Sequence, residues 1–423
     1  MTRAFSLSMA VIKPFRALRP PAELASEVAS RPYDVLSSAE AREEAAGNPR
    51  SFYHISKAEI DLPDSKDPHS PMVYEKAAEN LRQFIRDGIL KLEDQECYYI
   101  YELTMEGKSQ TGLSALSSLQ DYEQEKIKKH ELTRPDKELD RINHIRSTGA
   151  QTGNVFLAMP DLEDISRLLE QWKDAHAPTY DFKASDGIGH RLWVVDEGPT
   201  ITQITELFAA RVPNTYIADG HHRAASAFLV RKDLETKGQL NGPLDPACYF
   251  LTTIFPANQL RILDYNRLVR DLNGLSKDSF LSRIYPQFNI RKTGPEPYRP
   301  QKPHEFGMYL EGSWYCLQAH EGIWQETPIG VLDITILHDQ ILEPVLEIGD
   351  ARTDPRVDFV GGIRGLDALS QRVDRGEMKI AFALFPVTLS QLFAVADTGQ
   401  IMPPKSTWFE PKLRDGLLTY LIR

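Results

Sequence analysis

Apolar positions along the chain switch between two periods. After Ser70-Pro71, residues Val73, Ala77, Leu81, Phe84 and Ile85 recur three and four apart, which predicts an amphipathic helix weakening at Gly88. The same spacing in Leu162, Ile165, Leu168, Leu169 and Trp172, and again in Ile201, Ile204, Leu207 and Phe208, predicts two more. Shorter helices are expected from about Ala22 to Ser30 and, capped by Ser37 or Ser38, through Glu44. Between these lie β-branched and aromatic runs that predict strands: Ala10 to Ile12, Cys97 to Leu103, one beginning at Gln110, Asn154 to Met159, Arg191 to Val195, and Tyr216-Ile217. The last third predicts strands near 306–310, 314–318 and 379–385, with helices near 332–346 and 366–375. Residues 56–69 and 274–303 show neither period and read as loops, the second as a boundary; 123–146 is a highly charged stretch. Strands and helices mix irregularly, so the expected class is α/β of mixed α+β type, not a strict βαβ array.

Length and composition narrow the function classes. A chain of 423 residues suggests about two or three domains. An apolar content of 41% is enough for a real core. The net charge of −11 argues against nucleic acid as the main partner. Cys97, Cys248 and Cys316 are far apart, with no C-x-x-C, so neither a disulfide framework nor a zinc knuckle is indicated. No apolar run approaches the ~20 residues of a membrane span. The N-terminus lacks a hydrophobic signal region. A cytoplasmic location and no membrane partner are expected.

The strongest chemical signal is Thr215-Tyr216-Ile217-Ala218-Asp219-Gly220-His221-His222-Arg223. A strand runs into a glycine, and a helix opens with two imidazoles and a guanidinium. Glycine permits close backbone approach, and a first helical turn presents N–H groups to an anion. Cations there oppose the helix dipole unless an anion arrives. The same residues can instead be solvated or paired with a carboxylate. Lys128-Lys129-His130-Glu131-Leu132-Thr133 offers basic groups and a carboxylate, and can equally be a solvated charged face. It is not H-E-x-x-H, because position 134 is Arg. Pro403-Pro404-Lys405-Ser406-Thr407 presents a lysine and two hydroxyls from a stiff turn, without the glycines of a P-loop. Asp34, after Pro32-Tyr33, is either a general base or a helix cap. G-x-S-x-G and the Rossmann glycine triplet are absent.

These motifs, taken in order, resemble the bacterial and archaeal family catalogued as domain of unknown function 1015. The matching residues are Pro14-Phe15-Arg16-Ala17 with Arg19-Pro20, Pro32-Tyr33-Asp34-Val35, Asn48-Pro49, Gln110-Thr111-Gly112-Leu113, Lys129-His130-Glu131 with Thr133, and Asp140-Arg141. Asp219-Gly220-His221-His222-Arg223, Asp354-Pro355-Arg356, Met402 to Thr407 with Phe409, Pro411-Lys412 and Gly416-Leu417 complete the set. An aromatic often follows the arginine in that family, where this chain has Ala224.

The resemblance implies a ParB/sulfiredoxin-like nucleotide-binding core with N- and C-terminal elaborations, divided here as 1–260 and 261–423. It implies a kinase using ATP or ADP with Mg²⁺, acting on a small amino acid, most simply free L-serine. Gly220, His221, His222 and Arg223 would hold phosphates, Asp219 would hold the metal, and His130 would join the nucleotide site. Lys405, Ser406 and Thr407 would complete the cradle. Glu131, slightly ahead of Asp34, would take the hydroxyl proton. A ParB-like nucleotide-binding regulator is the alternative, and a homodimer is compatible with either. A sulfiredoxin-like reductase would need a cysteine where His221 and His222 stand.

Overall fold

The aromatic run after Cys97 and the Gln110 segment form an antiparallel pair, Tyr98–Met105 with Lys108–Ser118, in register Tyr99 to Ser114. They are the centre of the larger sheet in the computed structural model, which describes residues 9–63 and 67–423. Residues 1–8, which carry part of the expectation against a signal region, and 64–66, inside the expected loop 56–69, lie outside the described residues. The chain divides into two compact units, Met1–Leu260 with Pro411–Arg423, and Arg261–Glu410.

In the first unit the strands run Ile127–Lys128, Thr215–Asp219, Val155–Met159, Tyr249–Pro256, Lys108–Ser118, Tyr98–Met105, Gly189–Val195 and Tyr180–Lys183. Ile12–Lys13 pairs off Lys108–Ser118. Most neighbours are antiparallel, but Tyr249–Pro256 runs parallel to Val155–Met159, and Thr215–Asp219 parallel to Ile127–Lys128. Mixed pairing is what the irregular order of elements implied. The core is apolar on the sheet side of the helices: Ile100, Leu113, Leu157, Ile217 and Phe250 meet Ile165, Leu169, Ile204, Phe208, Ala224 and Ala227. Small side chains at Ala224 and Ala227 let helix His221–Thr236 lie close to the sheet.

The helix expected after Ser70 spans Pro71–Arg86 and buries Val73, Ala77, Leu81 and Phe84. Ser37 caps Ser38–Ala45, and Glu40 closes a reciprocal capping box. The charged stretch 123–146 contains a helix, Pro135–Thr148, that apolar periodicity did not reveal. It buries Asp140 and His144 along with Ile145, so its inner face is satisfied by polar pairing. The segment Pro411–Arg423 belongs to this unit through main-chain bridges of Ser30 with Asp415 and Leu18 with Thr419.

The second unit is a six-stranded antiparallel sheet ordered Phe288–Gly294, Ser313–Ala319, Glu305–Leu310, Ile380–Ala383, Tyr265–Val269 and Val357–Gly361. Its core holds Leu268, Trp314, Leu366, Leu369 and Ala381. The expected boundary loop 274–303 is corrected here: it contains helix Lys277–Ile284 and strand Phe288–Gly294, whose Phe280, Ile284 and Phe288 are buried. The helix expected over 332–346 is shorter, Asp333–Leu337, followed by a wider turn at His338–Leu342. No described helix is long and apolar enough to cross a membrane.

Candidate functional site

Strand Thr215–Asp219 carries a register shift between Ile217 and Asp219 against Val155–Met159. Such an irregularity turns the strand end and re-aims its side chains. The chain then passes through Gly220 at φ +92°, a conformation L side chains rarely adopt. A Cβ at Gly220 would sit 3.4 Å from Val155 Cα and 3.5 Å from Arg223 Cδ. Glycine therefore lets the first turn of the helix close against the neighbouring strand. The first intrahelical bond runs from Ala224 N–H to Gly220 O at 3.1 Å, so the N–H groups of His221, His222 and Arg223 precede it.

Arg223 is the buried charge of the turn, only 8% exposed. Its Nη1 donates to Asn154 O at 2.7 Å and its Nη2 to Asp34 Oδ1 at 3.0 Å. It lies over the Tyr33 ring, 5.5 Å from the centroid. Burial works against its charge, but Asp34, Asp415 and Asp219 outweigh burial and raise its pKa. Asp219 accepts an ion pair from Lys412 Nζ at 3.3 Å. Burial alone would raise the Asp219 pKa, yet Lys412 and Arg223 hold it below the usual carboxylate value.

The two imidazoles are not the cations the sequence suggested. Burial pushes His221 down to about 3, with His222 and Lys129 adding to the effect, so its ring is neutral at pH 7. His222 Nε2 accepts the Arg134 N–H at 3.0 Å, which places its own proton on Nδ1. Burial also lowers the His222 pKa. Neutral rings can donate to an anion but bring no charge, so the positive end of this turn is Arg223. His130 packs edge-on against His221 with ring centroids 4.5 Å apart, and burial takes it to about 3 as well. Glu131 Oε2 lies 3.5 Å from His221 Nδ1. His130, Glu131, Asp34, Asp219, Gly220, His221, His222 and Arg223 thus gather in one place.

Lys405, Ser406 and Thr407 belong to the second unit. There Lys405 is exposed at φ +55°, and Ser406 Oγ donates to Pro403 O at 2.6 Å.

Sequence reasoning missed Asp415. It is 2% exposed, and burial raises its pKa to about 7 despite Arg223. A Cβ at Gly153 would meet Asp415 Oδ1 at 3.1 Å and Arg223 Nε at 3.4 Å, so glycine is needed for the carboxylate and guanidinium to converge. The flanking Pro411-Lys412 and Gly416-Leu417 were the available signal. Asp140 and Arg141, seen only as a motif, form a second buried pair at 2.7 Å, and Arg141 lies over the same Tyr33 ring, 3.9 Å from its centroid.

Next to Asp34 is a cavity of about 310 Å³ lined by Tyr33, Asp34, Ser56, Lys57, Lys137 and Arg141, among others. A smaller one of about 30 Å³ touches Tyr33, Arg141, Gly153, Arg223 and Asp415. Among the described residues, three metal-type ligands converge only at His338, Asp339 and Glu343 in the second unit. Asp219 offers a single carboxylate.

The family model described as protein of unknown function (DUF1015) matches residues 12–335. No curated protein matches the chain. Among solved structures, a conserved hypothetical protein from Pyrococcus furiosus is 14% identical at a TM-score of 0.34, covering 72% of this chain and 94% of that one. A free serine kinase in complex with AMP is 13% identical at 0.34, covering 72% and 91%. SbnI from Staphylococcus aureus, truncated at its C-terminus, is 12% identical at 0.36, covering 73% and 87%.

Proposed function

The chain belongs to the DUF1015 family, and from that premise we propose that it is a nucleotide-dependent phosphotransferase acting on a small hydroxylated molecule, with free L-serine the first acceptor to test. The observation that carries this reading is Arg223. It is a buried guanidinium in the first turn of a helix, bonded on one side to Asp34, which lines a cavity of metabolite size. The reading rests on that turn and not on the likeness to solved kinases. A ParB/sulfiredoxin-like core is part of the same proposal.

Phosphoryl transfer needs positioning and charge stabilisation more than covalent chemistry. The N–H groups after Gly220 and the Nδ1–H of His222 would receive phosphate oxygens, with His221 and His130 shaping the pocket. Arg223 would exchange part of its Asp34 contact for the transferred phosphoryl group. The acceptor oxygen would form a bond to phosphorus as the bond from phosphorus to the nucleotide leaving group breaks. The hydroxyl proton would pass to a carboxylate. Asp34 takes precedence over Glu131 in this role, because Asp34 lines the cavity and touches Arg223. Mg²⁺ commonly binds through one or two carboxylates plus phosphate oxygens, and Asp219 would supply the carboxylate. Such an ion would neutralise phosphate charge.

The test is to incubate the protein with ATP, ADP or CTP in turn, with and without Mg²⁺, and a panel of amino acids and other hydroxy compounds. Mass spectrometry should detect a phosphorylated acceptor with at least one donor. A nucleotide-soaked crystal in which this turn stays closed on Asp34 and the nucleotide lies elsewhere would sink the assignment.

A further inference from the structure

The 310 Å³ cavity lies at the lower end of small-molecule clefts, which suits a metabolite rather than a chain segment. Most charges in its wall are already matched. Lys57 Nζ lies 3.1 Å from Glu59 Oε1. Asp140 takes Arg141, the Tyr74 hydroxyl at 2.9 Å and His69 Nδ1 at 3.0 Å. Asp34 is held by Arg223. Lys137 is left over: because Asp34 is taken by Arg223 from outside the wall, each carboxylate of the wall has another partner, and among the described residues Lys137 makes no ion pair. Ser56 adds a second signal. It is 3% exposed, lines the cavity, and its Oγ has no hydrogen-bond partner among the described residues. A buried hydroxyl in that state favours a polar atom brought by a ligand.

We propose that this cavity binds a small hydroxy acid, and that it prefers one without an amino group. The hydroxyl lies toward Asp34, the carboxylate toward Lys137, and a further oxygen toward Ser56 Oγ. Every carboxylate in the wall is already paired, so an ammonium group would enter without a counter-ion. A hydroxy acid instead brings an anion to Lys137, the cation that no carboxylate of the wall pairs with. That the ligand is a phosphoryl acceptor rests on the function proposed above; that it binds here does not.

Calorimetry on the full chain, without nucleotide, tests this with D-glycerate, L-serine and glycerol. D-Glycerate is expected to bind, L-serine about tenfold or more weaker, and glycerol weaker still. Lys137→Gln, on a half-buried side chain, should weaken D-glycerate about tenfold while leaving ADP affinity unchanged. Ser56→Ala should weaken it several-fold. L-Serine or glycerol binding as tightly as D-glycerate, or Lys137→Gln binding it normally, overturns the proposal. So does ADP binding with none of the three small molecules bound. If D-glycerate binds as expected and no nucleotide does, the cavity assignment stands and the phosphotransferase reading falls.

Discussion

Arg223 and Arg267 are both almost wholly buried, yet their surroundings differ in kind. Arg223 in the first unit is bonded to Asp34 and has Asp415 and Asp219 close by, and these carboxylates raise its pKa. Arg267 in the second unit donates to two main-chain carbonyls, Tyr265 O at 2.6 Å and Pro404 O at 2.9 Å, and lies 4.8 Å over the Phe359 ring. No carboxylate offsets its burial, which pulls its pKa down to about 9, still charged at neutral pH. Main-chain carbonyls of a strand and a turn cannot rotate away, so Arg267 ties strand residue Tyr265 to the turn that carries Lys405. A side-chain carboxylate can rotate away, so Arg223 can be handed to a ligand. As sequence, only Arg223 stood out as a candidate; Arg267 lies inside strand Tyr265–Val269. What separates them is the identity of the acceptor around each guanidinium.

The comparison breaks first at Arg223. Arg223→Ala should lower turnover by roughly 10² or more, the scale of a lost charge-stabilising donor, and should also lower the melting temperature, because Asp34 and Asn154 O lose a buried partner. Normal turnover in that variant would leave Arg223 a structural residue like Arg267. Asp34→Asn should cost roughly 10² in kcat, and Glu131→Gln less than about tenfold. The reverse order in steady-state kinetics would return the base to Glu131.

Arg267→Ala should destabilise the second unit by about 3 kcal/mol, since two carbonyls and a volume are left open. Arg267→Met should cost less than half as much by thermal denaturation, because an apolar side chain removes the buried charge along with the bonds. Equal losses would mean that the charge itself is needed there.

Asp415 gives a finer test through pH. Its pKa is raised to about 7 in the folded protein from about 4 in an unfolded chain. Its contribution to stability is therefore complete below about pH 4 and is lost as pH rises through 7. Asp415→Asn should match the parent protein near pH 4 and melt higher at pH 8, the gap opening between pH 4 and 7. His130 and His221 run the other way. Their lowered values add stability above pH 6.5 that is lost as pH falls toward 3. Melting curves between pH 7 and 5 should fall, and His130→Gln should flatten that slope slightly.

The strand, the glycine and the helix around residues 215–236 were legible because each is a local property: a β-branched run, a required positive φ, and a first turn without apolar constraint. The helix Pro71–Arg86 was legible from its apolar spacing. Helix Pro135–Thr148 was not, because its buried face uses Asp140 and His144, which no hydrophobic period can mark. Segment 274–303 was hidden for another reason. Its prolines and lysines read as a linker, while its three buried aromatic and aliphatic side chains are too few to set a period.

For the site, the chain alone determined which chemical groups stand next to one another along the backbone: Gly220 beside His221, His222 and Arg223, and an acid after Pro32-Tyr33. It could not determine that His221 and His222 would be neutral, because burial and the Arg134 N–H decide that, and both are supplied by distant segments. Nor could it place Asp415 and the motif residue Lys412 at the turn, which they reach only because the end of the chain folds back onto Ser30 and Leu18. Charge state and pairing depend on what surrounds a group in three dimensions, and neighbours in sequence do not carry that information.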